Sequence, residues 1–177
     1  MDGEEIDAHG REDVDYEGEL ACVLGAFDAR EMRDEDDEDA VCERCVFGWT
    51  VANDVTARKL QKEHQQWFLG KSCDTFCPMS PWVIGADEQP WSALNGSRLE
   101  TRVNGELRQT ADVRDMIFSV ATLIKTMSRY QTLRPGDVIL CGTPSGVGAD
   151  RPRRHRTKRI ARFPEEPLLM LLRYLSR

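Results

Sequence analysis

Residues 46–54 read VFGWTVAND, an apolar run rich in β-branched and aromatic residues that passes directly into an asparagine and an aspartate. This composition predicts a core strand over residues 46–52. Asp54 follows that strand at once, where a charged side chain is costly unless it is paired or binds a metal. The stretch therefore predicts a buried strand with a carboxylate held at its end.

Further β-structure is predicted on both sides of this strand. Residues 19–25 (ELACVLG) form a short apolar run that favours a buried strand. Residues 98–109 contain Asn104-Gly105 between two runs, which is a strong hairpin signal because both turn positions need positive φ. Residues 138–141 (VILC) favour another buried strand, which leads into the glycine-rich loop 142–148.

Helices are predicted at a few places between the strands. The apolar positions within residues 116–127 fall on one helical face, and Asp112 or Asp115 could cap that helix. Residues 56–61 have helical propensity, and residues 64–68 are interpreted as a connector. The sequence thus predicts a body that mixes strands with two or three helices.

The 177-residue chain has the length of one domain, and its charge is unevenly distributed. Residues 1–40 carry 17 acidic and 3 basic side chains, residues 41–150 carry 12 of each, and residues 151–177 carry 9 basic and 2 acidic. No apolar run approaches the roughly 18 residues of a membrane span. Because the acidic N-terminal residues do not resemble a secretory signal, we expect a cytoplasmic protein, with the mitochondrion as the alternative compartment.

Six cysteines leave a zinc site open as an alternative. Cys42 and Cys45 form one pair and Cys73 and Cys77 another, and two such pairs can bind Zn²⁺ tetrahedrally. Neither pair carries the glycine and aromatic residues that usually shape a zinc turn, so we interpret them as small buried residues. A small zinc-binding or nucleic-acid-binding protein, with the basic tail as its anchor, is the disfavoured class.

Glu17 and Glu19 are the first candidates for chemistry. On an extended segment, residues two apart point to the same face, so these carboxylates repel unless a cation or a shared proton compensates. A hard divalent ion such as Mg²⁺ prefers oxygen ligands of this kind, and Asp54 could supply a third. The alternative is that both glutamates belong to the acidic N-terminal region and face water.

Four more residues could contact an anionic substrate. Lys71, beside Gly70 in an apolar and aromatic setting, could hold an anionic oxygen or an enolate. Arg58 and Gln61 lie one helical turn apart and could contact a carboxylate, and Thr143 could offer donors from its loop. The alternatives are an ordinary surface lysine, an exposed helix face and an unspecific glycine-rich loop.

Six motifs occur in an order that resembles the fumarylacetoacetate hydrolase family. They lie at residues 15–20 (DYEGEL), 48–58 (GWTVANDVTAR), 70–78 (GKSCDTFCP), 103–109 (VNGELRQ), 116–119 (MIFS) and 135–148 (PGDVILCGTPSGVG). The resemblance covers residues 13–148. It divides the chain into an acidic head at 1–12, a catalytic body at 13–148 and a basic tail, 149–177, that does not resemble the family.

The resemblance implies a mostly β fold with α+β character, built on a rolled mixed β-sheet and usually found in a homodimer. It also implies an enzyme acting on 2-oxo acids and 1,3-dicarbonyl acids by hydrolysis, decarboxylation or isomerisation. The implied ligands of a Mg²⁺ or Mn²⁺ ion are Glu17, Glu19 and Asp54. The implied substrate contacts are Arg58, Gln61 and Thr143, with Lys71 as the catalytic residue that stabilises an enolate.

The chain departs from the family's pattern at both ends. Family members carry a lid helix with a His and a Glu upstream of the glutamate pair, and closing strands follow the glycine-rich loop. Only 16 residues precede Glu17, and a run of arginines follows the loop. We therefore expect a fold that is incomplete at both ends. A metal-binding fragment impaired in catalysis is the alternative to a working enzyme.

Overall fold

The computed structural model describes residues 6–28, 36–149, 157–158 and 169–176. Short strands dominate this part of the chain. The strands are β1 (Val14–Tyr16), β2 (Gly18–Leu24), β3 (Val46–Asn53), β4 (Thr56–Ala57), β5 (Ile84–Gly85), β6 (Arg98–Val103), β7 (Glu106–Asp112), β8 (Val138–Leu140), β9 (Gly148–Ala149), β10 (Thr157–Lys158) and β11 (Leu169–Ser176). The helices are α1 (Glu38–Cys45), α2 (Arg58–His64), α3 (Trp67–Lys71), α4 (Trp91–Leu94) and α5 (Val120–Ser128).

The sheet that positions the carboxylates has the order β5-β3-β2-β8. Strands β2 and β3 pair antiparallel, from Gly18 opposite Asn53 to Leu24 opposite Val46. The strand predicted over residues 46–52 is confirmed, and its Trp49 and Val51 side chains are each 1% exposed. This pairing brings the start of β2 and the end of β3 to the same edge of the sheet.

A three-stranded and a four-stranded sheet complete the architecture of the described residues. One has the order β4-β1-β9 and the other β10-β11-β6-β7. The pair β11–β6 is parallel and the other strand pairs are antiparallel, so the sheet is mixed. The predicted mostly β fold with α+β character is confirmed. Most of the basic run at residues 151–159, and residues 1–5 of the acidic head, lie outside the described residues.

The predicted hairpin at Asn104-Gly105 is confirmed. The two turn residues have φ of 53° and 84°, and β6 pairs antiparallel with β7 on either side of them. An L-residue side chain is strained at such φ values, whereas glycine and, to a lesser degree, asparagine tolerate them. The local turn chemistry therefore specifies this part of the fold.

Three local predictions around the helices need correction. Helix α5 begins at Val120 because Ser119 caps it by accepting a hydrogen bond from the Thr122 amide, so neither Asp112 nor Asp115 caps it. The segment predicted as helical from residue 56 begins as strand β4, which pairs with β1. Helix α3 begins at Trp67 and so takes up the last two residues of the stretch interpreted as a connector. Tertiary pairing and a local cap override weak propensities here.

The apolar core lies on one face of β2 and β3, covered by α1, α4 and α5. Its members include Leu20, Trp49, Leu94, Val120 and Ile124, all at most 2% exposed. The indole rings of Trp49 and Trp91 lie 5.6 Å apart between centroids within this core. Among the described helices, none is long and apolar enough to cross a bilayer.

Replacing Gly105 with alanine should destabilise the hairpin by strain alone. Gly105 has a φ of +84°, and no atom lies within 4 Å of the position a Cβ would take. We expect the free energy of unfolding to fall by about 1 kcal/mol, since the left-handed conformation is less stable by about this amount for a residue with a Cβ. Urea denaturation measures the change. Gly96→Ala is the matched control, because the nearest atom there is a carbonyl oxygen 3.8 Å away. Equal stability of the two variants would contradict the turn assignment.

Candidate metal centre

Three carboxylates meet at the shared edge of β2 and β3. Glu17 lies between β1 and β2, Glu19 lies in β2, and Asp54 follows β3. One ligand oxygen from each lies within 4.8 Å of the other two. Glu17 is 7% exposed and Glu19 is 4% exposed, so these are buried charges. The structure thus brings together the three residues that the sequence suggested as ligands, and their role in binding a metal stays a prediction.

Asn53, for which no role was predicted, fixes the geometry of this edge. Its side-chain oxygen accepts a hydrogen bond from the Glu17 amide at 2.8 Å. The Asp54 amide donates to the Glu17 carbonyl at 2.8 Å. The backbones before and after the strand pair are therefore joined, which holds two of the carboxylates at a fixed separation.

Lys71 supplies the nearest positive charge. Its Nζ donates to Glu17 Oε2 at 3.0 Å, to Thr56 Oγ1 at 3.1 Å and to an oxygen of Asp54. Burial disfavours the ammonium, but the hydrogen bonds to Asp54 and Glu17 outweigh it and raise the pKa of Lys71. Lys71 is therefore held as a cation between two of the carboxylates.

Gly70 explains how Lys71 reaches this position. It is buried in the contact between α2 and α3. A Cβ at Gly70 would lie 2.9 Å from the Cβ and the amide nitrogen of Gln61, which is closer than real side chains approach. Glycine thus allows the two helices to pack closely enough for Lys71 to reach the carboxylates.

Arg58 lies on the other side of Glu17. Its Nε donates to Asp15 Oδ2 at 2.6 Å, one terminal nitrogen donates to Glu17, and the other donates to Gln61 Oε1 at 3.1 Å. Burial opposes the charge, but the hydrogen bonds to Asp15 and Glu17 raise the pKa of Arg58. The structure thus brings Arg58 and Gln61 to the site, and their contact with substrate stays a prediction.

The balance of charge favours a further cation. Asp15, Glu17, Glu19 and Asp54 face two cationic side chains, a formal excess of two negative charges when all four are ionised. Burial, above all, raises the pKa of Glu19 to about 7; a hydrogen bond from the Gly142 amide opposes this rise, and the charges of Asp54 and Glu17 add to it. Hard carboxylate oxygens with this excess fit Mg²⁺ or Mn²⁺.

The glycine-rich loop closes one side of the centre. The Gly142 amide donates to Glu19 Oε2 at 2.7 Å, and the Thr143 hydroxyl donates to the Gly18 carbonyl at 2.9 Å. The Tyr16 hydroxyl donates to the Gly146 carbonyl at 2.9 Å. Thr143 is therefore adjacent to the carboxylates as expected, and its contact with substrate stays a prediction.

A cavity of about 480 Å³ borders the same loop. Its lining is mostly apolar and includes Leu20, Met116, Phe118 and Thr143. Neighbouring residues of a strand point to opposite faces, so Leu20 faces the cavity while Glu19 faces the carboxylates. The three proposed ligands are not among the residues that line this cavity, whereas Gly142 and Thr143 both line it and hydrogen-bond to Glu19 and Gly18.

The cysteines do not form a zinc site in the described part of the chain. Cys42 and Cys45 are buried in α1, and Cys73 and Cys77 are half-buried in the loop after α3. Burial raises the pKa of Cys45 to about 11, which disfavours the thiolate that binds zinc. Among described residues, the group of metal-ligating side chains that lie close together is the acidic one.

Comparison with known proteins agrees with this geometry. Residues 1–165 match the sequence model of the fumarylacetoacetate (FAA) hydrolase C-terminal domain. Oxaloacetate tautomerase YisK of Bacillus subtilis is 50% identical over 137 residues, which are 76% of this chain and 42% of that protein. The chain spans about half the length of the curated relatives it matches.

Solved structures share the fold. A 5-carboxymethyl-2-hydroxymuconate delta-isomerase from Mycobacterium smegmatis superposes with a TM-score of 0.66 at 37% identity, covering 79% of this chain and 51% of that one. A fumarylpyruvate hydrolase from Pseudomonas aeruginosa, solved with Mn²⁺ and pyruvate, gives a TM-score of 0.67 at 28% identity, covering 85% and 63%.

Replacing Lys71 with methionine should destabilise the chelator-treated protein, because Glu17 and Asp54 lose their shared cation. Removing one partner of a fully buried ion pair lowers the free energy of unfolding by about 3–5 kcal/mol. Since the Lys71 side chain is 20% exposed, we expect the free energy of unfolding to fall by about 2 kcal/mol in urea denaturation. Saturating Mg²⁺ should restore much of this loss, because it supplies the missing positive charge.

The control is Arg98→Met, which breaks an ion pair with Asp112 whose arginine is 58% exposed. Such a pair contributes less than about 1 kcal/mol. A Lys71→Met loss no larger than that of the control would contradict the view that the carboxylates depend on Lys71.

Proposed function

Because this chain belongs to the fumarylacetoacetate hydrolase family, we propose that it is a Mg²⁺- or Mn²⁺-dependent enzyme acting on 2-oxo acids or 1,3-dicarbonyl acids. Hydrolysis, decarboxylation and isomerisation are the reaction types we propose. The names of its relatives support a 2-oxo acid, because oxaloacetate and fumarylpyruvate belong to that class. Pyruvate, present with Mn²⁺ in the Pseudomonas aeruginosa structure, is also a 2-oxo acid.

The observation that carries this proposal is the cluster of three carboxylates with a lysine hydrogen-bonded between two of them. Glu17, Glu19 and Asp54 would hold the ion, since hard oxygen donors are the ligands that Mg²⁺ and Mn²⁺ prefer. When bound, such an ion supplies Lewis acidity toward a carbonyl oxygen.

The chain's own cations would bind and orient the substrate. Lys71 is held charged by two carboxylates, so we assign it hydrogen-bond donation to an anionic or enolate oxygen. Arg58, Gln61 and Thr143 surround the same centre, and we assign them contacts with the substrate's carboxylate and carbonyl oxygens. Arg58 also orients Glu17, so its loss would affect the metal ligands as well.

A metal-binding body without turnover is the second candidate. Its support is the setting of the described histidines: His9 lies 3.5 Å from Asp7, and His64 is exposed at the end of α2. Neither belongs to the acidic group. A general base for proton transfer is therefore unassigned among the described residues, whereas each proposed binding group has a residue assigned to it.

The expected homodimer stays a prediction, as do the cytoplasmic location and the absence of membrane or nucleic-acid partners. Large apolar side chains at Trp67, Phe68 and Trp82 are each more than 60% exposed. Exposed apolar groups of this size are typical of interaction surfaces when they are contiguous.

Replacing Glu17 with glutamine or Asp54 with asparagine should abolish Mn²⁺ binding. Loss of an outer-shell partner costs 10–100-fold in metal affinity, so loss of a direct ligand should cost more than about 100-fold. Calorimetry with Mn²⁺ measures the affinity. Ultraviolet absorbance of oxaloacetate and acetylpyruvate measures turnover. Glu106→Gln is the control, because that glutamate is exposed in β7.

Three outcomes distinguish the candidates. Chelator-sensitive turnover that both variants lose supports the enzyme. Mn²⁺ binding without turnover supports the metal-binding body. Unchanged Mn²⁺ affinity in both variants would remove the proposed metal site.

Lys71→Met should weaken the binding of oxalate, a mimic of a 2-oxo acid, to the Mn²⁺-loaded protein. A hydrogen bond to a charged group contributes about 1.5–3 kcal/mol, so the affinity should fall at least about 10-fold. Mn²⁺ binding itself should persist, because the carboxylates remain. Lys62→Met, on the exposed face of α2, is the control. Retained oxalate affinity in Lys71→Met would refute its role in anion binding.

A further inference from the structure

Gln109 is a fully buried amide in a mostly exposed strand. It is 1% exposed, whereas its neighbours Arg108 and Thr110 in β7 are exposed. A buried amide is costly unless its donors and acceptor find partners. The burial of Gln109 therefore has to be explained by the partners of its side-chain amide.

Its partners belong to the two segments that form the candidate centre. Gln109 Oε1 accepts from the Gly18 amide at 3.0 Å. Its Nε2 donates to Thr143 Oγ1 at 2.8 Å and to the Pro144 carbonyl at 2.9 Å. Both ends of one rigid amide are thus used to join residues far apart in sequence.

Gly18 is the critical partner because it lies between two of the proposed metal ligands. It has no side chain, so its position depends on bonds to its peptide groups. Its amide donates to Gln109, and its carbonyl accepts from the Thr143 hydroxyl, which itself accepts from Gln109. The bonds form a closed ring between the backbone at Gly18, the side chain of Gln109 and the hydroxyl of Thr143.

The ring also reaches Glu19. Gly142 precedes Thr143, and its amide donates to Glu19 Oε2 at 2.7 Å. The loop is pressed against β7, since a Cβ at Gly146 would overlap the Arg108 carbonyl oxygen. The hydrogen bonds of Gln109 therefore set the distance between Gly18, at the start of β2, and the loop at Thr143 and Pro144.

We propose that Gln109 is a positioning residue that fixes Glu17 and Glu19 relative to the Thr143 loop, so that the metal ligands and the substrate-binding loop share one geometry. This role rests on the proposed function. Gln109 acts through Gly18 and Thr143 and needs no contact with metal or substrate. Glutamine suits the position because it offers two donors and one acceptor in a single plane.

Two variants test the proposal in the 177-residue chain. Gln109→Glu keeps the shape and the acceptor for Gly18 but loses both donors and sets a carboxylate against the Pro144 carbonyl. Gln109→Leu removes all three hydrogen bonds. The matched controls are Gln131→Glu and Gln131→Leu, because Gln131 is exposed after α5.

We expect the affinity for Mn²⁺, and that of the Mn²⁺-loaded protein for oxalate, to fall about 10-fold in both Gln109 variants, as for outer-shell partners of metal ligands. Calorimetry below each variant's melting temperature measures both affinities. The electron paramagnetic resonance spectrum of bound Mn²⁺ should also change, because the ligands are displaced. The Gln131 controls should match the unmodified chain.

A Gln109 variant that melts earlier but keeps both affinities and the spectrum would overturn the positioning role and leave the metal site standing. An unmodified chain that binds no Mn²⁺ would overturn the proposed function and this role with it. Should both variants fail to fold, amide hydrogen exchange in the unmodified chain decides. A Gly18 amide that exchanges as fast as that of the exposed turn residue Gly105 overturns the proposal, and strong protection supports it.

Discussion

The crowding of negative charge at the end of the β2–β3 pair is the constraint around which the site is organised. Antiparallel pairing of Gly18 with Asn53 makes Glu17, Glu19 and Asp54 neighbours, and burial strengthens their repulsion. Compensation comes from three separate parts of the chain. Helix α2 supplies Arg58, helix α3 supplies Lys71, and the loop after β8 supplies the Gly142 amide. The packing of these elements is thus tied to the electrostatics of one strand edge.

Side chains along β2 alternate between the face with the carboxylates and the face with the apolar core. Glu19 points toward the carboxylates, while Leu20, on the opposite face, is 2% exposed in the apolar core with Trp49 and Ile124. A close-packed core resists displacement of the strand that carries the charges. A site held on such strands is more precise than one built on loops alone. The same backbone therefore keeps the fold together and keeps the carboxylates at fixed distances.

Features with a local cause were predictable from the sequence, and features with a tertiary cause were not. The hairpin follows from Asn104-Gly105, and the core strand follows from its own composition. Strand β4 does not, because its pairing with β1 overrides the helical propensity of the segment. Gln109 was missed because Arg108 is an extra residue in β7 where Thr101 pairs with Gln109 and Arg102 with Leu107, which disturbs the simple alternation of exposed and buried residues. Asn53 was missed because a single polar residue gives no sign of burial in sequence.

Binding an anion requires fixed positive charges, whereas turnover also requires a group that accepts a proton. The described residues around Glu17 provide fixed positive charges in Arg58 and Lys71. Glu17 directs one oxygen to Arg58 and the other to Lys71, and Glu19 accepts from the Gly142 amide. A carboxylate held by two cations, as Glu17 is, is a poor proton acceptor, since a proton on it would break a charge-assisted hydrogen bond. Lys71 is equally unsuited to act as a base while two carboxylates hold it protonated. The geometry of Glu17 and Lys71 therefore favours stabilisation of an anion over transfer of a proton, whereas burial raises the pKa of Glu19 and makes it the most readily protonated carboxylate of the three.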